Sequence, residues 1–174
     1  MMMSPFLRKI TLVAHIVSSV GLIGAVASFL AFGVAGLSSG DDQVIRSAYV
    51  AMDLVARSVI VPLVFASLMT GLVQSLGTTW GLFRHYWVLA KLLLTLFTAT
   101  VLMLQMNGIA HLAAVAAEAA LPSIELLDAR RSLVAHAAGG LVVLLVTTTL
   151  SVYKPRGLTR YGWRKSHGRQ ADRA

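Results

Sequence analysis

Four long apolar stretches govern what this chain can fold into: about 9–34, 48–72, 86–108 and 133–153. Each meets or approaches the roughly 20 residues a helix needs to cross a hydrocarbon core. None alternates with period two. Only helices or closed barrels satisfy their backbone in lipid, so the stretches predict transmembrane helices. Composition agrees: 57% of the 174 residues are hydrophobic and 13% are charged. Mean hydropathy is +0.77, too apolar for a water-soluble domain of this size. The expectation is an all-α integral membrane protein, an up-down bundle of four transmembrane helices over about 7–37, 44–76, 83–111 and 123–153. These make one domain, 1–153, followed by a basic tail, 154–174. Arg8 and Lys9 before the first stretch resemble the start of a signal peptide. The apolar run is too long for one and no clear small-residue cleavage site follows, so it reads as a resident helix.

Charge sets the orientation. The N-terminus carries Arg8 and Lys9, and the turn between helices two and three carries Arg84. The tail carries Lys154, Arg156, Arg160, Arg164, Lys165, Arg169 and Arg173. The two other connections carry Arg46, Arg130 and Arg131, beside Asp41, Asp42, Glu118, Glu125 and Asp128. Lys/Arg residues concentrate in cytoplasmic segments, so both termini are predicted to be cytoplasmic. The tail interleaves Tyr153, Tyr161 and Trp163 with its basic groups. Basic plus aromatic also suits nucleic acid. Here the tail abuts a membrane helix and is too short to fold alone, so an anchor on anionic lipid is the better reading and no nucleic-acid partner is expected. There is no cysteine, which excludes disulfides, thiolate metal sites and cysteine nucleophiles.

Helical spacing gives every helix a polar or small stripe. Helix one carries Thr11, His15 and Ser18; helix two carries Asp53 and Arg57, then Ser67, Gly71 and Gln74. Helix three carries Lys91, Thr95, Thr98 and Gln105; helix four carries His136, Gly140 and Thr147. Four stripes have one sensible arrangement, all facing the bundle interior. Pro62 interrupts helix two and predicts a kink near 58–62. Ser123 after Pro122 is a candidate N-cap for helix four.

The ionisable members separate by depth. At about 1.5 Å per residue, His15 lies about 8 Å and Lys91 about 6 Å in from the cytoplasmic edge, with His85 at that edge. Charged groups inside a bilayer mark functional sites or find partners. Lys91 can snorkel to the headgroups; His15, shorter and set among Val13, Ala14, Ile16 and Val17, cannot do so as well. His15 is either a neutral ring bonded to a neighbouring helix or an axial ligand to haem iron or copper. Toward the outer side, Asp53 and Arg57 are four apart and form a structural ion pair, or else a polar pocket beside His136. His111 at the outer rim and His136 are metal or haem-ligand candidates with the loop carboxylates, without a spacing motif to single them out. Met103 and Met106 share a face, but no third soft ligand accompanies them.

Two segments carry a family resemblance. "LVAHIVSSVGLIGAV" resembles the opening helix of the copper-resistance D superfamily of membrane proteins, with a histidine before a glycine-containing small-residue run. "HYWVLAKLLLTLF" resembles a later helix of the same group, where Trp and Lys precede a leucine-rich run. That group includes copper exporters, small membrane-embedded protoporphyrinogen oxidases and uncharacterised bacterial families. The whole chain most resembles one of the last, through "GLVQSLGTTWGLFRHYWVLAKLLLT" and "YKPRGLTRYGWRK". The resemblance implies that His15 and Lys91 match the histidine and lysine serving the haem or substrate site in the oxidases. The oxidases carry an arginine- and aromatic-rich segment after helix one, where this chain has "GLSSGDDQ". Their reaction is therefore not carried over, and the scattered methionines leave copper transport unsupported.

The resulting expectation is a membrane protein that binds a b-type haem or related tetrapyrrole within its bundle. His15 is the first axial-ligand candidate and Lys91 pairs with a propionate or other anionic group. His85 is a second ligand or a propionate contact, and Tyr86 and Trp87 belong to the interfacial belt. Two alternatives stand beside it: a cofactor-free structural subunit, and a small metal-ion or copper carrier using His15, His111, His136 and Asp53, which would need a homo-oligomer for alternating access. No nucleotide-binding loop or hydrolase motif occurs, and no reaction is assigned.

Overall fold

The computed structural model describes residues 3–77, 82–118, 124–155, 157–160 and 163–164. Four helices account for nearly all of them: helix one Pro5–Ser38, helix two Asp42–Gly77, helix three Tyr86–Glu118 and helix four Ile124–Tyr153. All four are long and apolar enough to cross a membrane, which suggests a multi-pass membrane protein. Among the described residues there is no strand, and His85 and Leu158 form one isolated antiparallel bridge. The candidate N-cap Ser123 and tail residues Arg156, Tyr161, Lys165, Arg169 and Arg173 lie outside the described residues.

Local chemistry sets the helix ends. Ser4 caps helix one by accepting from the Leu7 amide, with Pro5 in the first turn. The "SSGDD" cluster is a short turn: the Ser39 hydroxyl accepts from Asp41 N at 3.0 Å, and the Asp41 carboxylate accepts from Gln43 N at 2.8 Å. That opens helix two. Pro62 cannot donate to the Ser58 carbonyl, and the distortion falls just before it, as a π-helical turn over Ala56–Ile60. The Val61 amide there reaches back to the Ala56 carbonyl.

The expected long connection between helices three and four is mostly helix. Helix three continues past His111 to Glu118, and helix four starts at Ile124. The alanine-rich run after His111 has high helix propensity. It also buries Leu112, Ala113 and Ala116, on a helix that packs against the Asp42–Val55 part of helix two. Helix three begins at Tyr86 rather than near 83, because residues 82–84 turn and 85 pairs with the tail.

The helices close into a ring. Helix one packs along helix two and against helix four, and helix three packs against helix four and the first half of helix two. Both chain ends lie at one end of the bundle, here the terminal end; the opposite end is distal. The tightest packing is toward the distal end, where Tyr49, Met52 and Leu112 are the largest fully buried side chains. A Cβ on Gly36 would stand 2.9 Å from Tyr49 Cε2, so only glycine lets helix one approach the tyrosine ring. Nearer the terminal end, the Val61–Gly77 half of helix two leans on helix one and meets helix three only sparsely.

The described start of the tail packs against the bundle. Thr159 is buried, its amide bonds the Arg84 carbonyl at 2.9 Å, and its hydroxyl donates to the Phe83 carbonyl. Residues 157–160 thereby strap the C-terminal end of helix four to the turn before helix three. The chain reverses at Lys154, whose φ of 44° is the one positive value outside glycine among the described residues.

Candidate functional site

The stripes on helices one and two meet near the terminal end. His15 Nδ1 lies 3.1 Å from the Ser67 carbonyl oxygen and 3.2 Å from Thr70 Oγ1. A carbonyl only accepts, so Nδ1 carries the proton, and in the neutral ring Nε2 keeps the lone pair. Thr70 donates its own hydroxyl proton to the Ala66 carbonyl at 2.6 Å, which leaves its oxygen free to accept. The ring rests on Gly71, where a Cβ would stand 3.1 Å from His15 Cε1. Around it, Ser19 and Ser67 share a 2.9 Å hydroxyl bond, and Gln74 donates to Thr11 Oγ1 at 2.7 Å and to the Arg8 carbonyl at 3.0 Å. Ser18 instead returns its hydroxyl to the His15 carbonyl.

Helices three and four supply the other side. Lys91 Nζ donates to Ser151 Oγ, whose hydroxyl donates to the Thr147 carbonyl at 2.8 Å. Lys91 is half-buried, and its side chain reaches toward the terminal end of helix four. It lies toward the same end of the bundle as His15. The acids with described side chains, Asp41, Asp42, Asp53, Glu118 and Asp128, all sit in the distal half or beyond it. No carboxylate among them balances this ammonium.

Sequence reasoning missed Thr70 and Ser151. Both were legible. Thr70 falls between Ser67 and Gln74 on the same face, and Ser151 lies four residues beyond Thr147.

The remaining candidates stand apart from this cluster. His85 sits in the turn bound by the tail, its ring 6.4 Å from that of Trp87. His111 is exposed on helix three. His136 is also exposed, with Nδ1 2.7 Å from the Ser132 carbonyl and 3.0 Å from the Gln105 amide. Asp53 and Arg57 pair at 2.7 Å with Arg57 half-exposed, closed on each other rather than opening toward His136. They mark a border, since residues 58–77 carry no charge. Among the described residues no three His, Asp or Glu side chains come together in a way that could hold a metal ion. Among the described residues, His15, His111 and His136 do not come together in such a group.

Arg130, counted among the outer connection charges although inside the expected helix span 123–153, is a buried residue of helix four, 8% exposed. Its Nε donates to Tyr49 Oη at 2.8 Å, Nη2 donates to the Gly36 carbonyl, and its guanidinium stands 5.3 Å from the Tyr49 ring centroid. Gly36 lies in the last turn of helix one, where carbonyls lack helical partners and the helix dipole is negative. That field, with the tyrosine face, accommodates a buried cation that has no carboxylate partner among the described residues. The signal was the apolar stripe Leu126, Arg130, Leu133, Ala137, which places Arg130 inward.

A cavity of about 80 Å³ lies in the bundle core, lined by all four helices; Thr98, Gln105 and His136 are its polar members. Cofactor pockets usually measure about 300–1,000 Å³, so a tetrapyrrole does not fit between the four packed helices. The donor chemistry near the terminal end does suit one: a lone-pair nitrogen whose other ring nitrogen is held by a carbonyl, beside a cation. On that side the second half of helix two and helix three are sparsely packed. Compared with protein-family models, with curated proteins and with solved structures, the chain matches none.

Proposed function

We propose that this chain is a bacterial inner-membrane protein, termini cytoplasmic, that binds a b-type haem or related tetrapyrrole near its terminal end. His15 is the axial-ligand residue through Nε2, and Lys91 faces a carboxylate of the group. The observation that carries this is the fixed ring of His15: Ser67 and Thr70 hold Nδ1, leaving Nε2 as the open nitrogen, with Lys91 toward the same end of the bundle. An uncompensated ammonium inside a membrane span calls for an anionic partner, and a tetrapyrrole carboxylate provides one. The group, when bound, supplies redox chemistry at its iron. The chain's residues orient the ligand nitrogen, balance the carboxylate and limit water from the terminal end.

The test is an absorption spectrum of the purified full chain, made with ample haem, before and after dithionite. A strong Soret band that sharpens on reduction is expected; it disappears in His15→Ala, and Lys91→Met retains haem more weakly. A flat spectrum from haem-replete protein would end this reading.

One observation favours a second reading, a structural subunit without a cofactor. His15, Lys91, Ser67 and Gln74 all find partners inside the chain, so polar packing alone accommodates them. That reading predicts a colourless protein in which His15→Ala changes only stability.

A further inference from the structure

The core cavity has a chemical asymmetry. Its lining is aliphatic and aromatic, from Leu22, Phe29, Ile60 and Leu133 among others, so it favours apolar contents and stays dry when empty. Its rim carries His136, which is exposed and therefore reachable from outside the bundle. The 2.7 Å contact of His136 Nδ1 with the Ser132 carbonyl requires a proton on Nδ1, because two lone pairs at that distance would repel. Gln105 Nε2 is placed 3.0 Å from that nitrogen, so the amide must turn over for its oxygen to accept, and the Ser132 hydroxyl oxygen 3.2 Å away accepts as well. His136 Nε2 is left as a lone-pair acceptor with no hydrogen-bond partner among the described residues. The rim thus offers one acceptor beside an apolar hole too small for a whole cofactor. His136 lies fifteen residues before Ser151 on helix four, well separated from the Lys91 cluster.

We propose that this cavity is a binding site for a membrane-dissolved alcohol or phenol. The apolar end of the molecule fills the cavity and its hydroxyl donates to His136 Nε2 at the rim. A hydroxyl is specified because the acceptor is a neutral nitrogen: a carbonyl or ether would bring a second acceptor, and an anion would find no cation there. This site shares no residue with the tetrapyrrole reading and stands or falls without it.

The test uses the full chain in detergent with 4-fluorophenol and fluorobenzene as probes, followed by fluorine NMR titration. Wild type should bind the phenol about 2- to 10-fold more tightly than fluorobenzene, the value of one hydrogen bond. His136→Leu should remove that preference and keep fluorobenzene binding. Ala137→Leu should weaken both probes by filling the cavity; Thr98→Leu fills it from helix three if Ala137→Leu does not fold. Equal affinity for the two probes in wild type, a preference surviving in His136→Leu, or no saturable binding of either probe would overturn the proposal.

Discussion

Replacing Arg130 by alanine removes the one buried guanidinium that ties helices one, two and four together. The residue is 8% exposed, so solvent screening takes little from its interactions. Two hydrogen bonds from a charged donor, to Tyr49 Oη and the Gly36 carbonyl, are worth about 1.5–3 kcal/mol each. The stacking on Tyr49 at 5.3 Å adds about 1–2 kcal/mol when desolvated. Against this gross loss of about 4–8 kcal/mol, alanine recovers up to about 2 kcal/mol of side-chain entropy. It also relieves the desolvation of an unpaired cation. The net destabilisation should be about 3 kcal/mol. Tyr49→Phe keeps the ring and loses one such bond, so it should cost about 1.5–3 kcal/mol. The double variant should then cost less than the sum of the singles by about that same 1.5–3 kcal/mol, because the two share that bond. Reversible unfolding in mixed dodecylmaltoside and dodecyl sulfate micelles, followed by far-UV circular dichroism, measures all three. Refutation would be Arg130→Ala within about 0.5 kcal/mol of wild type, the range of an ordinary surface change. The clamp would then be no more than a surface contact.

Other outcomes follow from the same geometry. Gly36→Ala places a Cβ 2.9 Å from Tyr49 Cε2, and the overpacking should lower stability by about 1–3 kcal/mol in the same assay. Asp53→Asn should cost under about 1 kcal/mol, since Arg57 is 54% exposed and such i,i+4 pairs are weak; a larger loss would mean the pair is desolvated by lipid. Because the chain has no cysteine, the double variant His85→Cys with Leu158→Cys gives a clean crosslinking test. The bridge between those positions should let an intramolecular disulfide form under mild oxidation. A tail that swings free would give little, and each single variant serves as the control.

How much was legible depended on whether the signal was local. The four spans were, because 20-residue apolar runs leave lipid-exposed backbone no alternative to the helix. The disturbance near Pro62 was as well, since a missing amide acts on its own helix. So was the Asp53–Arg57 pair, whose four-residue spacing makes them neighbours on any helix. The stripe containing His15 and the one containing Ser67, Gly71 and Gln74 could each be read alone. Which helices they would join could not.

Tertiary structure decided the rest. Arg130 looks like an outer-end surface cation until helix four is packed against helix one and the residue finds Tyr49 and the Gly36 carbonyl. Lys91 has a snorkelling route in any isolated helix, and only the approach of helix four supplies Ser151. The tail is a lipid anchor by composition, yet Thr159 is buried against the turn at 83–84. In each case the partner is more than 50 residues away along the chain. The sequence by itself therefore determined that four helices form and which face of each is polar. Only the fold determined which polar faces meet, because a pairing energy of a few kcal/mol exists only when a distant helix has been brought within hydrogen-bond reach.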